Sequence, residues 1–228
     1  MNRIAIIDDD DESRELLSFI VEDAGYIPEL IVGVFGNDKL RLISEITSRD
    51  IYGVISDHRL GPGNLASFSG SELLADLYDL NIPSVLITQF LDVDADTSIR
   101  KYRDRLPAVI GRGSQEPDLI RKLLNMSKEE LVNGPNYSRR PHRALIRIDD
   151  LQSSLRENLI EGVVTNWSSE TLVKFPVELL SEDVKEKIKN KDMCRLMAFI
   201  NTGASDQKDL YITDIHIAPD LEGTDGIG

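Results

Sequence analysis

Two hydrophobic periods alternate over residues 1–126. Apolar runs at residues 3–7, 29–34, 52–56, 84–87 and 108–110 are short and rich in β-branched side chains, and they read as strands. Between them, apolar residues recur at helical spacing. Residues 12–25 place Leu16, Leu17, Ile20, Val21 and Ala24 on one face, with Gly25 as the C-terminal stop. Residues 40–48 turn Leu42, Ile43 and Ile46 inward, and residues 71–80 resume as a third helix. Residues 92–105 read as a polar fourth helix on a solvated face. Pro117 suits the first turn of a fifth, running to about Met126. Strands alternating with helices predict an α/β unit, a doubly wound parallel sheet of (βα)5 form covered on both faces.

The pattern changes beyond residue 130. Residues 131–143 contain Asn133-Gly134-Pro135-Asn136 and Ser138-Arg139-Arg140-Pro141, which is linker chemistry. Arg139, Arg140 and Arg143 form a candidate basic patch or, as expected here, a solvated linker. Residues 144–220 read as a small mainly-β domain, an antiparallel barrel of the OB or SH3 sort. Its expected parts are a helix over 148–159, a hairpin of 160–167 with 171–175, and a short helix within 176–188. That helix carries Leu179, Leu180, Val184 and Ile188 as its apolar stripe, and a strand pair of 195–201 with 209–217 follows. Residues 221–228 read as a flexible tail.

Composition narrows the function classes. The 228 residues are 41% hydrophobic and 29% charged, in the range of globular proteins. No apolar run approaches the ~20 residues needed to span a bilayer, and no signal peptide fits, so neither a membrane partner nor export is expected. One cysteine, Cys194, excludes an internal disulfide and suits a cytoplasmic setting. The net charge is −14, with 19 acids against 7 bases in residues 1–100. Acids also outnumber bases from residue 143 onward, which argues against DNA as a partner. The C-terminal domain is expected to contact protein, through loops such as 167–171 and 202–208.

The candidate chemistry sits at three strand ends. The first strand runs into Asp8-Asp9-Asp10-Asp11, the third ends in Asp57, and the fourth ends in Thr88. Carboxylates delivered to one edge of a parallel sheet suit a nucleophile plus divalent-cation ligands. Acid pair, lone Asp and Thr in this order resemble the receiver domain of bacterial response regulators, the flavodoxin-like module of two-component phosphorelay signal transduction. The resemblance spans residues 1–126. It implies that Asp57 is the phosphoacceptor and that Thr88 hydrogen-bonds the phosphoryl group. It also implies that weakly bound Mg2+ is held by Asp8, Asp9, Asp57 and the backbone carbonyl of Arg59. The implied donor is a histidine kinase or another phosphodonor, and a homodimer through the surface around the fourth and fifth helices is plausible on the same ground.

The pattern departs from that family at four points. No Lys follows the fifth strand, and the nearest cation is Arg112 in Gly111-Arg112-Gly113. Arg is a planar fork and not a point charge, so the exchange is not equivalent. Gln89 follows Thr88 where a small residue is usual, and Val109 stands where an aromatic is frequent. The loop after Asp57 is long, with its proline displaced to Pro62. Two alternatives therefore stay open: a degenerate receiver that binds partners without being phosphorylated, and an Asp-based phosphatase. The phosphatase rests on Asp8-x-Asp10 after an apolar strand, but Glu12 stands where its motif needs a hydroxyl or Val. Catalytic turnover is not expected. His58 is expected on the opposite strand face from Asp57. His142, His216 and Cys194 lack metal-ligand spacing. Trp167 and Phe175 read as core or as a binding platform.

Overall fold

The computed structural model describes residues 2–219. The expected tail at 221–228 lies outside them. Two five-stranded sheets organise the chain.

The first sheet is parallel. Its strands are β1 (Arg3–Ile7), β2 (Ile27–Leu30), β3 (Gly53–Asp57), β4 (Ser84–Thr88) and β5 (Ala108–Gly111), in the order β2-β1-β3-β4-β5. Its helices are α1 (Asp11–Asp23), α2 (Lys39–Thr47), α3 (Gly70–Asp79), α4 (Leu91–Asp96) and α5 (Pro117–Asn133). Ile4, Ile6, Ile55, Val85 and Ile87 pack under α1 and α5. Ala5, Ile7, Val54 and Leu86 pack under α2 and α3. Successive strand residues feed opposite cores, so the strands are apolar on both faces, as in covered parallel sheets. Side-chain caps start several helices. Asp10 accepts from the Ser13 amide at the head of α1, and Ser69 accepts from the Glu72 amide at the head of α3.

Strand order reverses between β1 and β3. A doubly wound sheet opens a crevice at such a point, outside the carboxyl ends of its strands. Asp8 follows one of these strands and Asp57 ends the other.

The second sheet is antiparallel, in the order β10-β9-β6-β7-β8, and curls into a half-barrel. It comprises β6 (His142–Ile148), β7 (Leu159–Val164), β8 (Leu172–Pro176), β9 (Cys194–Ile200) and β10 (Ile212–Ile217). With α6 (Leu151–Glu157) and α7 (Glu182–Ile188) it encloses a separate core around Ile146, Phe175, Leu196 and Ile200. Trp167 packs against that core and donates its indole N–H to the Ala204 carbonyl at 2.7 Å.

Several expectations change. The central strand β6 begins at His142, before the expected helix start, and Ile148 is its last residue. Leu16 is 60% exposed, while Leu17 and Val21 carry the contact to the sheet. The expected polar fourth helix is α4 followed by a 3-10 segment at Arg100–Arg105, and that segment is not solvated. Its Arg100 is 1% exposed, because it lies against the second sheet. Arg139 is also buried, not solvated: its guanidinium pairs with Glu130 at 2.8 Å and donates to the Asp104 carbonyl at 2.7 Å. Arg140 and Arg143 are exposed. Among the described residues no helix is long and apolar enough to cross a membrane.

Candidate functional site: an acid cluster bridged by arginine

Burial sets the character of the site. Asp8 is 1% exposed and Asp57 6%. Carboxylates this buried need partners, and each has them. Asp57 Oδ2 accepts from the Arg59 amide at 2.7 Å. Asp8 Oδ1 accepts from the Asp10 amide at 3.0 Å, and the Arg14 guanidinium donates to the Asp8 carbonyl at 2.6 Å. The remaining oxygens share one donor. Arg112 Nη2 lies 2.8 Å from Asp8 Oδ2 and 2.5 Å from Asp57 Oδ1.

Arg112 reaches this place from the end of β5. Its amide donates to the Thr88 carbonyl at 2.7 Å, which fixes its backbone to β4. Gly113, with φ of +98°, then turns the chain away in a conformation that side chains rarely adopt. The acids answer to two opposing causes. Burial pushes the Asp8 and Asp57 carboxyls above the usual carboxylate value, and the hydrogen bond from Arg112 pulls back without winning. Burial alone would lower the Arg112 pKa, yet its two carboxylate partners raise it.

Asp9 lines the same cleft, and its Oδ2 accepts from the Gly63 amide in the loop after β3. Thr88 donates its hydroxyl to Asp94 Oδ2 at 2.5 Å, and Asp94 Oδ1 accepts from Arg59 at 2.8 Å. The Arg59 guanidinium also lies over the Phe90 ring, 4.4 Å from its centre. Arg59, expected through its carbonyl, thus engages the site by its amide and its side chain. A cleft of about 320 Å³ remains, lined by Asp8, Asp9, Asp57, Pro62, Gln89 and Arg112 among others.

His58 is buried beside the site, its Nε2 2.7 Å from the Ser98 hydroxyl, and burial pushes its pKa down. Burial pushes the Cys194 thiol up to about 11, so it is not a reactive thiolate. His142 and His216 are exposed on the second sheet.

The Mg2+ implied by the resemblance does not fit this arrangement. Among the described residues no group of three or more His, Cys, Asp or Glu is placed to hold a metal ion. Asp8 and Asp57 are spanned by a guanidinium, and Asp9 is tied to a loop amide.

Asp94 was not singled out from the sequence. It sits in the segment read as a solvated helix, and its partners Thr88 and Arg59 lie on two other elements.

The order β2-β1-β3-β4-β5, with acids at the ends of β1 and β3, settles the fold of the first half. Residues 2–133 have the doubly wound strand order of flavodoxin-like folds. No family model matches the sequence, and no curated protein matches it. Several solved structures are similar to the first half. A response regulator receiver domain protein from Clostridium thermocellum is 15% identical, with a TM-score of 0.45 over 57% of this chain and 96% of that one. The response regulator TrrA from Thermotoga maritima, solved in complex with Mg2+-BeF, is 18% identical, with a TM-score of 0.44 over 55% and 99%. The receiver domain of NtrX from Brucella abortus is 19% identical, with a TM-score of 0.43 over 55% and 98%.

Proposed function

We propose that this chain is a receiver-type signalling protein in which the state of the Asp57 cluster is passed to the mainly-β module, and that module contacts a protein partner. One observation carries this. A single segment, 88–100, starts at the acid site with Thr88 and ends inside the second module with Arg100. At its start Thr88 bonds Asp94. At its end the Arg100 guanidinium donates to the Lys174 carbonyl at 3.2 Å and to the Gln207 carbonyl at 2.9 Å. It also donates to the Leu210 carbonyl at 2.5 Å, and its charge is balanced by Asp96 at 2.8 Å. A shift of Thr88 therefore pulls on a segment that is bonded to both halves.

The input in this scheme is phosphorylation of Asp57 by a phosphohistidine kinase or a small acyl phosphate. Attack through Oδ1 would loosen the Arg112 bond, and attack through Oδ2 would loosen that of the Arg59 amide. Asp57 would be modified and not turned over, so the chain is a switch and not an enzyme. The test is intact-mass measurement of the full chain after treatment with a small acyl phosphate, with Asp57→Asn as control. Addition of one phosphoryl group to the wild type alone supports the covalent switch.

The Arg112 bridge favours a second function: an adaptor whose acid site is never phosphorylated and whose modules present a fixed surface to a partner. An unchanged mass with every donor tried selects it. In either case the excess of acids disfavours DNA. A gel shift at low salt is expected to show no binding.

A further inference from the structure

We propose that Arg112 is a built-in counter-cation: its guanidinium takes the place of a divalent metal between Asp8 and Asp57, so that the native site binds no metal and gains one only when Arg112 is removed. The proposal goes beyond the signalling function, since it holds whether or not Asp57 accepts a phosphoryl group.

Four features carry it. A single nitrogen, Nη2, bridges an oxygen from each carboxylate, so the two acids meet through Arg112. The bridge is anchored in the backbone, because the Arg112 amide belongs to the β4–β5 ladder at the Thr88 carbonyl. The third acid is committed elsewhere. Asp9 is held by the Gly63 amide, and Gly63 packs so closely on the Asp9 backbone that any added Cβ would collide with it. Lastly, the two cations have different needs. Mg2+ requires near-octahedral oxygens at about 2.0–2.1 Å and several retained waters, whereas a guanidinium presents donors in one plane at hydrogen-bond distance. A metal seated between Asp8 and Asp57 must evict Nη2 and leave a partly buried guanidinium without its partners. Its side chain is 26% exposed, so eviction into water is sterically open but loses both charge-assisted bonds at once.

The consequence of removing Arg112 is specific. Two buried carboxylates would face each other without a cation, which raises their pKa values further and weakens the fold at neutral pH. An added divalent cation then has a vacancy to fill and stabilises the variant by mass action.

The experiment uses the full chain, with MgCl2 and MnCl2 as probes, read by calorimetric titration and by thermal melting. Wild type is expected to show no saturable binding and no change in Tm at millimolar metal. Arg112→Ala is expected to melt lower without metal, to bind saturably, and to regain at least about 2 °C in Tm with metal. The double variant Arg112→Ala with Asp57→Asn is expected to lose that response. Saturable binding by wild type that Asp57→Asn abolishes overturns the proposal, as does a folded Arg112→Ala protein indifferent to both metals. If Arg112→Ala does not fold, side-chain NMR of the Arg112 guanidinium in wild type decides. Resonances unmoved by millimolar Mg2+ support the bridge, and resonances that titrate with Mg2+ overturn it. The mass measurement on Asp57 tests the signalling function separately, so either can fail alone.

Discussion

Thr88 gives its hydroxyl proton to Asp94 and not to Asp57. Asp94 is 3% exposed and also accepts from Arg59, whose own amide donates to Asp57. The strand-end threonine is thus held 2.5 Å from a carboxylate on α4, and a chain of contacts runs Thr88, Asp94, Arg59, Asp57. Thr88→Val removes the donor and leaves Asp94 with Arg59 alone. The expected cost is about 1–3 kcal/mol in urea denaturation. Asp94→Asn keeps an acceptor for Thr88 but loses the charge opposite Arg59, so it is expected to cost less than Asp94→Ala. Equal stability of the two Asp94 variants would show that the hydroxyl contact carries nothing.

Acidity supplies a second test. Asp8 and Asp57 are both pushed up by burial from an ordinary value of 3.8. A carboxyl raised in the native state holds a proton that the unfolded chain has already released. Its favourable contribution is therefore complete below the unfolded value and is lost as pH climbs through the raised one. Asp8→Asn deletes one such group. Unfolding free energies measured from about pH 4 to pH 7 should show wild type losing ground to Asp8→Asn as pH rises. The opposite slope would mean that Arg112 outweighs burial.

Arg100 supplies a third. Its guanidinium is buried between the two modules and satisfies three carbonyls of the second. Arg100→Ala leaves those carbonyls and Asp96 unpaired, at an expected cost of about 3–5 kcal/mol. Hydrogen exchange should quicken at Lys174 and at 207–211 before it quickens in β1 or β3. Uniform loss of protection would mean that the two modules unfold as one.

Gly70 supplies the fourth. It opens α3, and a Cβ there would run into the Asp57 carbonyl and lie 2.7 Å from the Ser56 hydroxyl. Gly70→Ala is expected to destabilise by about 1–3 kcal/mol, since backbone has to shift. It should also perturb the Asp57 resonances in NMR more than those of the second module. An unperturbed Asp57 would mean that the loop before α3 absorbs the methyl group.

The sequence revealed what local pattern controls. Buried parallel strands show as continuous apolar runs, so the strand ends carrying Asp8, Asp57 and Thr88 were legible, and with them the fold of the first half. Arg112 was legible only as the cation nearest to a missing lysine, and nothing local said that it would bridge two acids. Asp94, Arg100 and Arg139 were missed for one shared reason. Each is polar within a polar stretch, and each is buried only because a partner far along the chain covers it, as the Arg100 contacts to 174, 207 and 210 show. Strand β6 was hidden differently. Leu145, Ile146, Ile148, Leu151 and Leu155 fit a helical period nearly as well as a strand, and the choice between them falls to pairing with β9 across seven residues.

Arg100 grips peptide carbonyls, a group that every amino acid carries, proline included. The half-buried side chains at 174 and 207 are therefore free to drift without loosening the grip, provided the backbone keeps its course, whereas Leu210 is held by the second core. Among diverged copies of this chain, the junction would be traced by a retained Arg100 together with the cross-module pairs Arg103–Asp209 and Lys101–Glu178. Swapping the outer surface of the second module is correspondingly permissive: new side chains can be installed there while the fastening to the first module stays as it is.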